Sequence, residues 1–200
     1  LGSYVEHIAN RGMVGLLFAN MHGSAACVVP WGGREGRLGT NPLAAGLPRP
    51  NADPIVLDMT TSVVAEGKIR VQRNRGASVP EGWIIDADGE STTDPAAFYG
   101  PPRGGLLPFG GAAGHKGYGL SVLVEILGGA LSGAGCAGSG SRNGNGVLLL
   151  VVDIERFVPM ESYMSEVGQL VEFVKSSPLS PGYTEIWVPG EIESLSLIHI

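Results

Sequence analysis

Most of the information in this chain lies in Gly111-Ala-Ala-Gly-His-Lys-Gly-Tyr-Gly-Leu120, which leads directly into the apolar run Ser121-Val-Leu-Val-Glu-Ile-Leu127. Glycine allows the backbone to turn tightly and to approach a ligand closely. The first N–H groups of a helix are unpaired and carry the positive end of its dipole, to which Lys116 adds a full charge. We therefore predict a helix over residues 118–131 with an anion site at its start, for a cofactor phosphate or a substrate carboxylate. A tight turn that caps a buried helix is the alternative, and these residues alone do not separate the two.

Composition narrows the classes of protein to which the chain can belong. With 200 residues, of which 44% are hydrophobic, it is long enough for a domain with a true core. A formal net charge of -6 and a pI near 5.2 argue against a nucleic-acid binder, which would present a basic face. Cys27 and Cys136 lie too far apart for a metal or redox motif, and two cysteines are too few for a disulfide framework. Since the sequence has neither a membrane-length apolar run nor a leader pattern at its start, we expect a cytoplasmic protein.

The pattern of apolar residues predicts a mixed α/β fold. The strongest strand covers residues 147–154, whose continuous apolar centre is typical of a strand that is covered on both faces. The turn Ala87-Asp88-Gly89 predicts a hairpin over residues 83–93, because Asp-Gly provides the positive φ of a tight turn. Further helices are predicted over 2–11 (with Gly12 as the stop), 62–74 (with Ser62 as the cap) and 160–175, further strands over 14–19, 55–58 and 184–188, and loops over 28–48 and 128–146.

The last six residues are unusual. Leu195-Ser-Leu-Ile-His-Ile200 follows a polar loop and matches the translation of a transposase adapter that is used in sequencing libraries. We therefore interpret residues 195–200 as a non-native tail. A short terminal strand is the alternative, and the sequence of the source locus would separate the two.

Several short segments stand in a fixed order along the chain. They are Pro30-Trp-Gly-Gly33, Gly39-Thr-Asn-Pro42, Val56-Leu-Asp-Met-Thr-Thr-Ser62, Gly67-Lys68, Thr93-Asp-Pro95, Pro108-Phe-Gly-Gly111, His115-Lys-Gly-Tyr-Gly-Leu120, Glu125 and Val188-Pro-Gly-Glu191. Each is weak alone, but the ordered set resembles the malate/L-lactate dehydrogenase family of the non-Rossmann type, which includes ureidoglycolate, sulfolactate and diketogulonate enzymes. The resemblance covers nearly the whole chain, from Leu1 to Glu191.

The resemblance implies an α/β fold of the sulfolactate/malate dehydrogenase type, whose NAD(P)-binding domain is not doubly wound, here incomplete at both ends. The expected domains are a fragment over residues 1–50 that links to the substrate and dimerisation domain, and an NAD(P)-binding domain over residues 51–194. The family transfers a hydride between NAD or NADP and small 2-hydroxy or 2-oxo acids, and its members are homodimers. We therefore expect the intact protein to be such an oxidoreductase and the truncated chain to be inactive. The sequence does not decide between NAD and NADP, nor does it identify the acid.

Three segments look like cofactor contacts when the family's motifs are carried over. They are Asp58, Met59, Thr60, Thr61 and Ser62; His115, Lys116 and Gly117; and Gly190 and Glu191. The serine and threonine hydroxyls can donate to phosphate oxygens, Lys116 provides a compact charge, and Glu191 can accept from a ribose hydroxyl or an amide. The alternatives are that Asp58 or Thr61 merely caps a helix and that His115 is a surface histidine.

Arg34 and Thr40 are weaker candidates, for the substrate. A guanidinium can hold a carboxylate with two hydrogen bonds, but Arg34 and Arg37 can equally be solvent-facing charges, and Thr40 can be a turn residue. The resemblance implies a proton-transferring histidine upstream of Leu1, so no residue of this chain is predicted to be catalytic, and no metal is expected. Two hypotheses compete with the oxidoreductase. One is a non-catalytic structural or partner module that retains only the scaffold. The other is a phosphate-ligand enzyme built on the Lys116 loop, for which no Walker motif is present.

Overall fold

A computed structural model describes residues 1–23, 26–139 and 143–197 of the chain. The elements in chain order are α1 (Gly2–Ala9), β1 (Met13–His22), β2 (Leu43–Leu47), β3 (Ile55–Met59), α2 (Glu66–Asn74), β4 (Ile84–Ile85), β5 (Ser91–Thr92), α3 (Pro95–Tyr99), β6 (Gly105–Leu106), a 3-10 turn (Gly111–Ala113), α4 (Gly114–Val124), a π-helix (Glu125–Ala130), β7 (Gly144–Asp153), a 3-10 turn (Ile154–Arg156), α5 (Met160–Lys175) and α6 (Glu191–Leu197). The predicted α/β class is confirmed, and so are the helices predicted over 2–11 and 160–175, the first of which is two residues shorter.

The described strands form two sheets. One has four strands in the order β3-β2-β1-β7, and the other is antiparallel with the order β5-β4-β6. The chain divides into two compact units: unit 1 comprises Leu1–Leu17, Ala44–Asp58 and Leu149–Ile200, and unit 2 comprises Phe18–Leu43 and Met59–Leu148. The domains over 1–50 and 51–194 remain a prediction for the intact protein.

The small sheet and helices α2 and α3 pack around the core of unit 2. The buried residues of this core are Cys27, Val28, Val64, Ile69, Val79, Ile84, Phe98 and Leu106. The predicted hairpin is confirmed as β4 and β5. Its turn is held by Asp86, whose Oδ1 accepts the N–H groups of Asp88 and Glu90 at 2.9 and 3.0 Å. Gly89 has the expected positive φ, 93°.

Helix α1 packs closely on β2 in unit 1. Its Val5 and Ile8 side chains are buried. Gly46 of β2 leaves room for this contact, because a Cβ at that position would lie 3.0 Å from the Val5 Cβ and nearer still to the Val5 carbonyl. Gly12, the predicted stop, closes the turn after the helix with a φ of 74°.

Helix α4 begins at Gly114, four residues earlier than predicted, and continues as a π-helix from Glu125. His115 and Lys116 therefore lie inside its first turn instead of before it. Glycine has a low helix propensity, but two glycines of this first turn are required by close packing. A Cβ at Gly114 would lie 2.6 Å from the Trp31 ring, and a Cβ at Gly117 would lie 2.7 Å from the Phe109 nitrogen.

Ser62 does not cap a helix, contrary to the prediction. Helix α2 begins at Glu66, and the Ser62 hydroxyl donates to the Val64 carbonyl at 2.8 Å. The Val63 N–H donates to the Leu107 carbonyl at 2.9 Å. This bond to a segment distant in sequence holds the chain extended before α2, and the local sequence pattern gives no sign of it.

The prediction that the strand over 147–154 is covered on both faces was wrong. Strand β7 lies at the edge of the four-stranded sheet, where β1 is its only neighbouring strand among the described residues. Val147 and Val151 are each 50% exposed. Helix α5 also has no buried residue. The apolar run thus predicted the strand correctly but not its burial.

Other predicted elements also differ from the structure. The loop predictions over 28–48 and 128–146 were wrong in part, since 43–47 form β2, 128–130 belong to the π-helix and 144–146 to β7. No strand forms over 184–188. Within the proposed tail, residues 195–197 belong to α6, which rules out a strand there, whereas 198–200 lie outside the described residues.

Candidate functional site

The start of α4, in unit 2, places a positive charge near aromatic rings. Lys116 is exposed, and its ammonium group has no hydrogen-bond or ion-pair partner among the described residues. His115, also exposed, meets Trp31 edge to face with ring centroids 5.8 Å apart. Trp31 and Phe109 are about half exposed, 50% and 48%. This surface can receive an anion at the helix start and a flat ring against the aromatic side chains.

The hydroxyls of Thr60, Thr61 and Ser62 are already engaged as donors. Thr60 Oγ1 donates to the Ser62 carbonyl at 3.0 Å, Thr61 Oγ1 to the Thr40 carbonyl at 3.1 Å, and Ser62 Oγ to the Val64 carbonyl at 2.8 Å. Thr61 and Ser62 are also fully buried. A hydroxyl has one proton to donate, so this arrangement does not support phosphate binding by these side chains. The cofactor contact of residues 60–62 remains a prediction, and of their groups it can involve only backbone atoms.

The two substrate candidates have different surroundings. Thr40 is buried, and its carbonyl accepts hydrogen bonds from Thr61. Arg34 is exposed and lines a cavity of about 520 Å³ in unit 2, together with Arg37 and Arg103. Thr40 is not among the residues that line this cavity. Substrate binding by either residue remains a prediction.

In unit 1, Asp58 and Gly190 line one cavity of about 210 Å³. The Asp58 carboxylate accepts the N–H of Gly2 at 2.6 Å, so it caps α1 and not the helix that follows Ser62. Gly190 has a φ of 97°, and a Cβ there would lie 3.1 Å from the Val56 nitrogen. Gly190 is thus required by its contact with Val56, while the carboxylates of Asp53, Asp58 and Glu193 in the cavity lining can accept hydrogen bonds from a hydroxyl-bearing ligand.

Glu191 holds together three parts of unit 1. Its carboxylate lies 2.9 Å from Arg49 Nη1 and 2.8 Å from Lys175 Nζ, and it accepts the Val188 N–H at 2.9 Å. Burial by itself raises the pKa of Glu191, but the hydrogen bonds from Lys175, the Val188 amide and Arg49 outweigh it and lower the pKa from 4.5 to about 2. The predicted cofactor contact of Glu191 remains open, while these bonds give it a structural role.

The depressed pKa of Glu191 predicts a specific acid sensitivity. A carboxyl group with a lowered folded-state pKa stabilises the fold above about pH 4.5, and this contribution disappears as the pH falls towards 2. We expect Glu191→Gln to remove about 1–3 kcal/mol of unfolding free energy at neutral pH, because the side chain is only 17% exposed. The difference from the wild type should vanish near pH 2.

Urea unfolding at several pH values measures this effect, with Glu193→Gln on the same helix as the matched control. Glu193 is exposed and forms no ion pair among the described residues. Equal acid profiles for the wild type and Glu191→Gln would show that the Arg49 and Lys175 contacts contribute nothing to stability.

A sequence model of the malate/L-lactate dehydrogenase family matches residues 1–197. The chain belongs to this family. It is 41% identical over 199 residues to a malate dehydrogenase of Pyrococcus horikoshii, covering 95% of this chain and 54% of that protein. It is 39% identical over 199 residues to an L-lactate dehydrogenase of Cupriavidus necator, covering 97% of this chain and 56% of that protein.

Among solved structures, the sulfolactate dehydrogenase of Methanocaldococcus jannaschii matches with a TM-score of 0.80 at 34% identity, over 99% of this chain and 56% of that one. The predicted malate/L-lactate dehydrogenase resemblance and the predicted fold are thus confirmed. The chain spans about half the length of the curated relatives it matches.

For this malate/L-lactate dehydrogenase family member, the sequence predicts no ligand contact at Trp31 or Asn41, and Asn41 is predicted only as part of a turn with Thr40 before Pro42. Trp31 belongs to the quoted Pro-Trp-Gly-Gly segment, and its exposed indole beside His115 is the kind of surface that stacks on a ligand ring. Asn41 has a φ of 37°, rare for a residue with a side chain, and is fully buried. The signal available for Asn41 was its position between threonine and proline in a segment shared with the family.

Two kinds of feature are not found in the described part of the chain. No group of three or more His, Cys, Asp and Glu side chains there lies close enough together to hold a metal ion. None of its helices combines the length and the apolar character that a bilayer crossing requires.

Proposed function

We propose that this chain belongs to an oxidoreductase that transfers a hydride between NAD or NADP and a small 2-hydroxy or 2-oxo acid. The observation that carries the proposal is the match to the malate/L-lactate dehydrogenase family along residues 1–197. Malate, L-lactate and sulfolactate, which name the relatives, are all 2-hydroxy acids. The proposal includes a homodimer in the cytoplasm.

The start of α4 fits the phosphate part of such a cofactor. The helix dipole and the unpaired Lys116 ammonium provide positive charge there, without a competing carboxylate partner among the described residues. The N–H of Gly114 is not free for a phosphate, because it donates to the Gly111 carbonyl of the preceding 3-10 turn. Lys116 would hold the pyrophosphate, the buried Gly117 would support it by fixing this turn against Phe109, and His115 and Trp31 offer aromatic surface beside it. The nicotinamide supplies or accepts the hydride when the cofactor is bound.

The cavity in unit 1 is proposed separately as a contact for hydroxyl or amide groups of the cofactor. Asp58 and Gly190 line it, and Glu191 follows Gly190 directly. Carboxylate oxygens accept hydrogen bonds from ribose hydroxyls, so the donor and acceptor chemistry agrees. For the substrate, the Arg34 guanidinium and Thr40 are proposed as contacts of the acid, and the proton is proposed to move through a histidine that precedes Leu1.

The test is turnover by the full-length gene product. NADH or NADPH is mixed with pyruvate, oxaloacetate, sulfopyruvate or a cyclic imino acid, and the loss of the reduced nicotinamide absorbance is followed. We expect oxidation with at least one acid. Absence of turnover with all of them, together with calorimetry that detects no binding of either nucleotide, would contradict the proposal.

A further inference from the structure

Glu125 is a buried carboxylate in unit 2 that receives hydrogen bonds from three directions. Its Oε1 accepts from Asn41 Nδ2 at 2.9 Å, and its Oε2 accepts from Asn20 Nδ2 at 2.9 Å and from the Ala137 N–H at 3.0 Å. Only 5% of the residue is exposed, and no cation pairs with it among the described residues. A buried carboxylate is costly unless it is satisfied in this way. It also begins the π-helix, a form that is frequent at functional sites.

Both asparagine side chains are fixed in orientation. Asn41 Oδ1 accepts the Met21 N–H at 3.1 Å, and Asn20 Oδ1 accepts the Gly146 N–H at 2.8 Å. Turning either amide over would break that bond and point an oxygen at the Glu125 carboxylate. Both NH₂ groups are therefore directed at Glu125, and only a side chain with two acceptor oxygens satisfies this arrangement.

The Asn41 arm of this network leads to the predicted ligand-binding segments. The carbonyl of Thr40, the preceding residue, accepts both the N–H and the hydroxyl of Thr61, at 3.0 and 3.1 Å. The Phe109 N–H donates to the Thr61 carbonyl at 2.9 Å. Asn41 Nδ2 also donates to Ser121 Oγ on α4 at 3.0 Å. Asn41 thereby ties the helix that carries the Lys116 site to the segments around 40 and 61.

The Asn20 arm of the network connects Glu125 to residues that are not predicted to bind a ligand. Asn20 lies on β1, and besides Glu125 its side chain contacts the Gly135 carbonyl at 2.9 Å and the Gly146 N–H at 2.8 Å. None of these partners is a predicted ligand contact. The two carboxylate oxygens of Glu125 thus serve different parts of unit 2.

We infer that Glu125 is a positioning residue for cofactor binding: through Asn41 it fixes Thr40 and Thr61 relative to α4, which presents Lys116. The inference rests on the proposed function. Glu125 is not offered as a contact of the cofactor, because it is buried and its oxygens are occupied. Thr40 and Thr61 are themselves buried, so the effect of Glu125 is on the position of α4 and of the exposed Lys116 that it presents.

The test compares two arms of the network in the full-length gene product. Glu125→Gln places an NH₂ group against donors, and we expect it to raise KM for the nicotinamide nucleotide about tenfold with a smaller change in kcat. Ser121→Ala removes only one acceptor from Asn41 and should raise that KM about threefold. Asn20→Ala probes the other arm: it removes the side-chain donor to Glu125 Oε2 but leaves the bond from Asn41 to Oε1 in place, so we expect a lower urea midpoint with a KM close to that of the wild type.

Each outcome has a defined meaning. Unchanged KM in Glu125→Gln, or in Ser121→Ala where the former does not fold, overturns the inference. A rise in KM for Asn20→Ala equal to that for Glu125→Gln also overturns it, because the network would then act on stability alone. A wild-type protein that binds neither NAD(H) nor NADP(H) refutes the proposed function itself, which is distinguishable from both.

Discussion

Gly117→Ala is expected to lower the free energy of unfolding by about 3 kcal/mol, whereas Gly119→Ala, two residues further along α4, is expected to raise it by about 0.5–1 kcal/mol. A Cβ at Gly117 would meet the Phe109 nitrogen at 2.7 Å and the carbonyl of the same residue more closely still. Backbone atoms cannot move aside as a side chain can. A Cβ at Gly119 would meet no heavy atom within 4 Å, so alanine there brings only its higher helix propensity.

Urea unfolding of the two variants beside the wild type measures both changes. Each variant adds one methyl group to the same helix, so the difference between them isolates the contact with Phe109. Equal effects would contradict the close packing of α4 on that segment. Because this contact also places Lys116, we expect Gly117→Ala to weaken nucleotide binding as well.

The sequence predicted those parts of the fold that depend on neighbouring residues. The hairpin around Asp86 and Gly89 is an example, since Asp86 accepts from N–H groups two and four residues later and Gly89 supplies the positive φ locally. The prediction for Ser62 failed because a distant partner decides its conformation: the Val63 N–H bonds to Leu107. No local pattern contains that bond.

The candidate site shows the same division. The sequence motifs predict Lys116 and Thr61 as cofactor contacts, but they do not show that the Thr61 hydroxyl already donates to the Thr40 carbonyl. The sequence alone assigns no role to Glu125, because a glutamate in an apolar helix is compatible with a solvated or a satisfied buried group. Only its two asparagine partners, far away in the chain, decide between these. Residue types can be predicted from motifs, while their hydrogen-bond partners cannot.

The glycines of the segment Gly111–Leu120 have a different structural role from the predicted one. The sequence pattern predicts that the backbone approaches a ligand at these positions. Gly114 and Gly117 instead allow α4 to approach Trp31 and Phe109 of the same chain. The anion site that the motif predicts then depends mainly on Lys116 and the helix start, because they remain exposed.

Lys116→Met is expected to weaken binding of NADH or NADPH by about 10- to 100-fold, which corresponds to the loss of a charge-assisted contact with phosphate. Stability should change by less than about 0.5 kcal/mol, because the side chain is exposed and unpaired among the described residues. Lys68→Met is the matched control: it removes the same charge from an exposed position on α2 in unit 2. Its affinity should stay close to that of the wild type.

Salt dependence separates a direct contact of Lys116 from a general effect of net charge. Wild-type affinity should fall as ionic strength rises, since ions screen an exposed lysine–phosphate attraction. Lys116→Met should show a flatter dependence, and Lys68→Met should follow the wild type. Calorimetric titrations of the full-length gene product at low and high salt provide the comparison. If the two variants bind the nucleotide equally well, Lys116 does not contact the phosphate, although membership of the malate/L-lactate dehydrogenase family, which rests on the match along residues 1–197, would still hold.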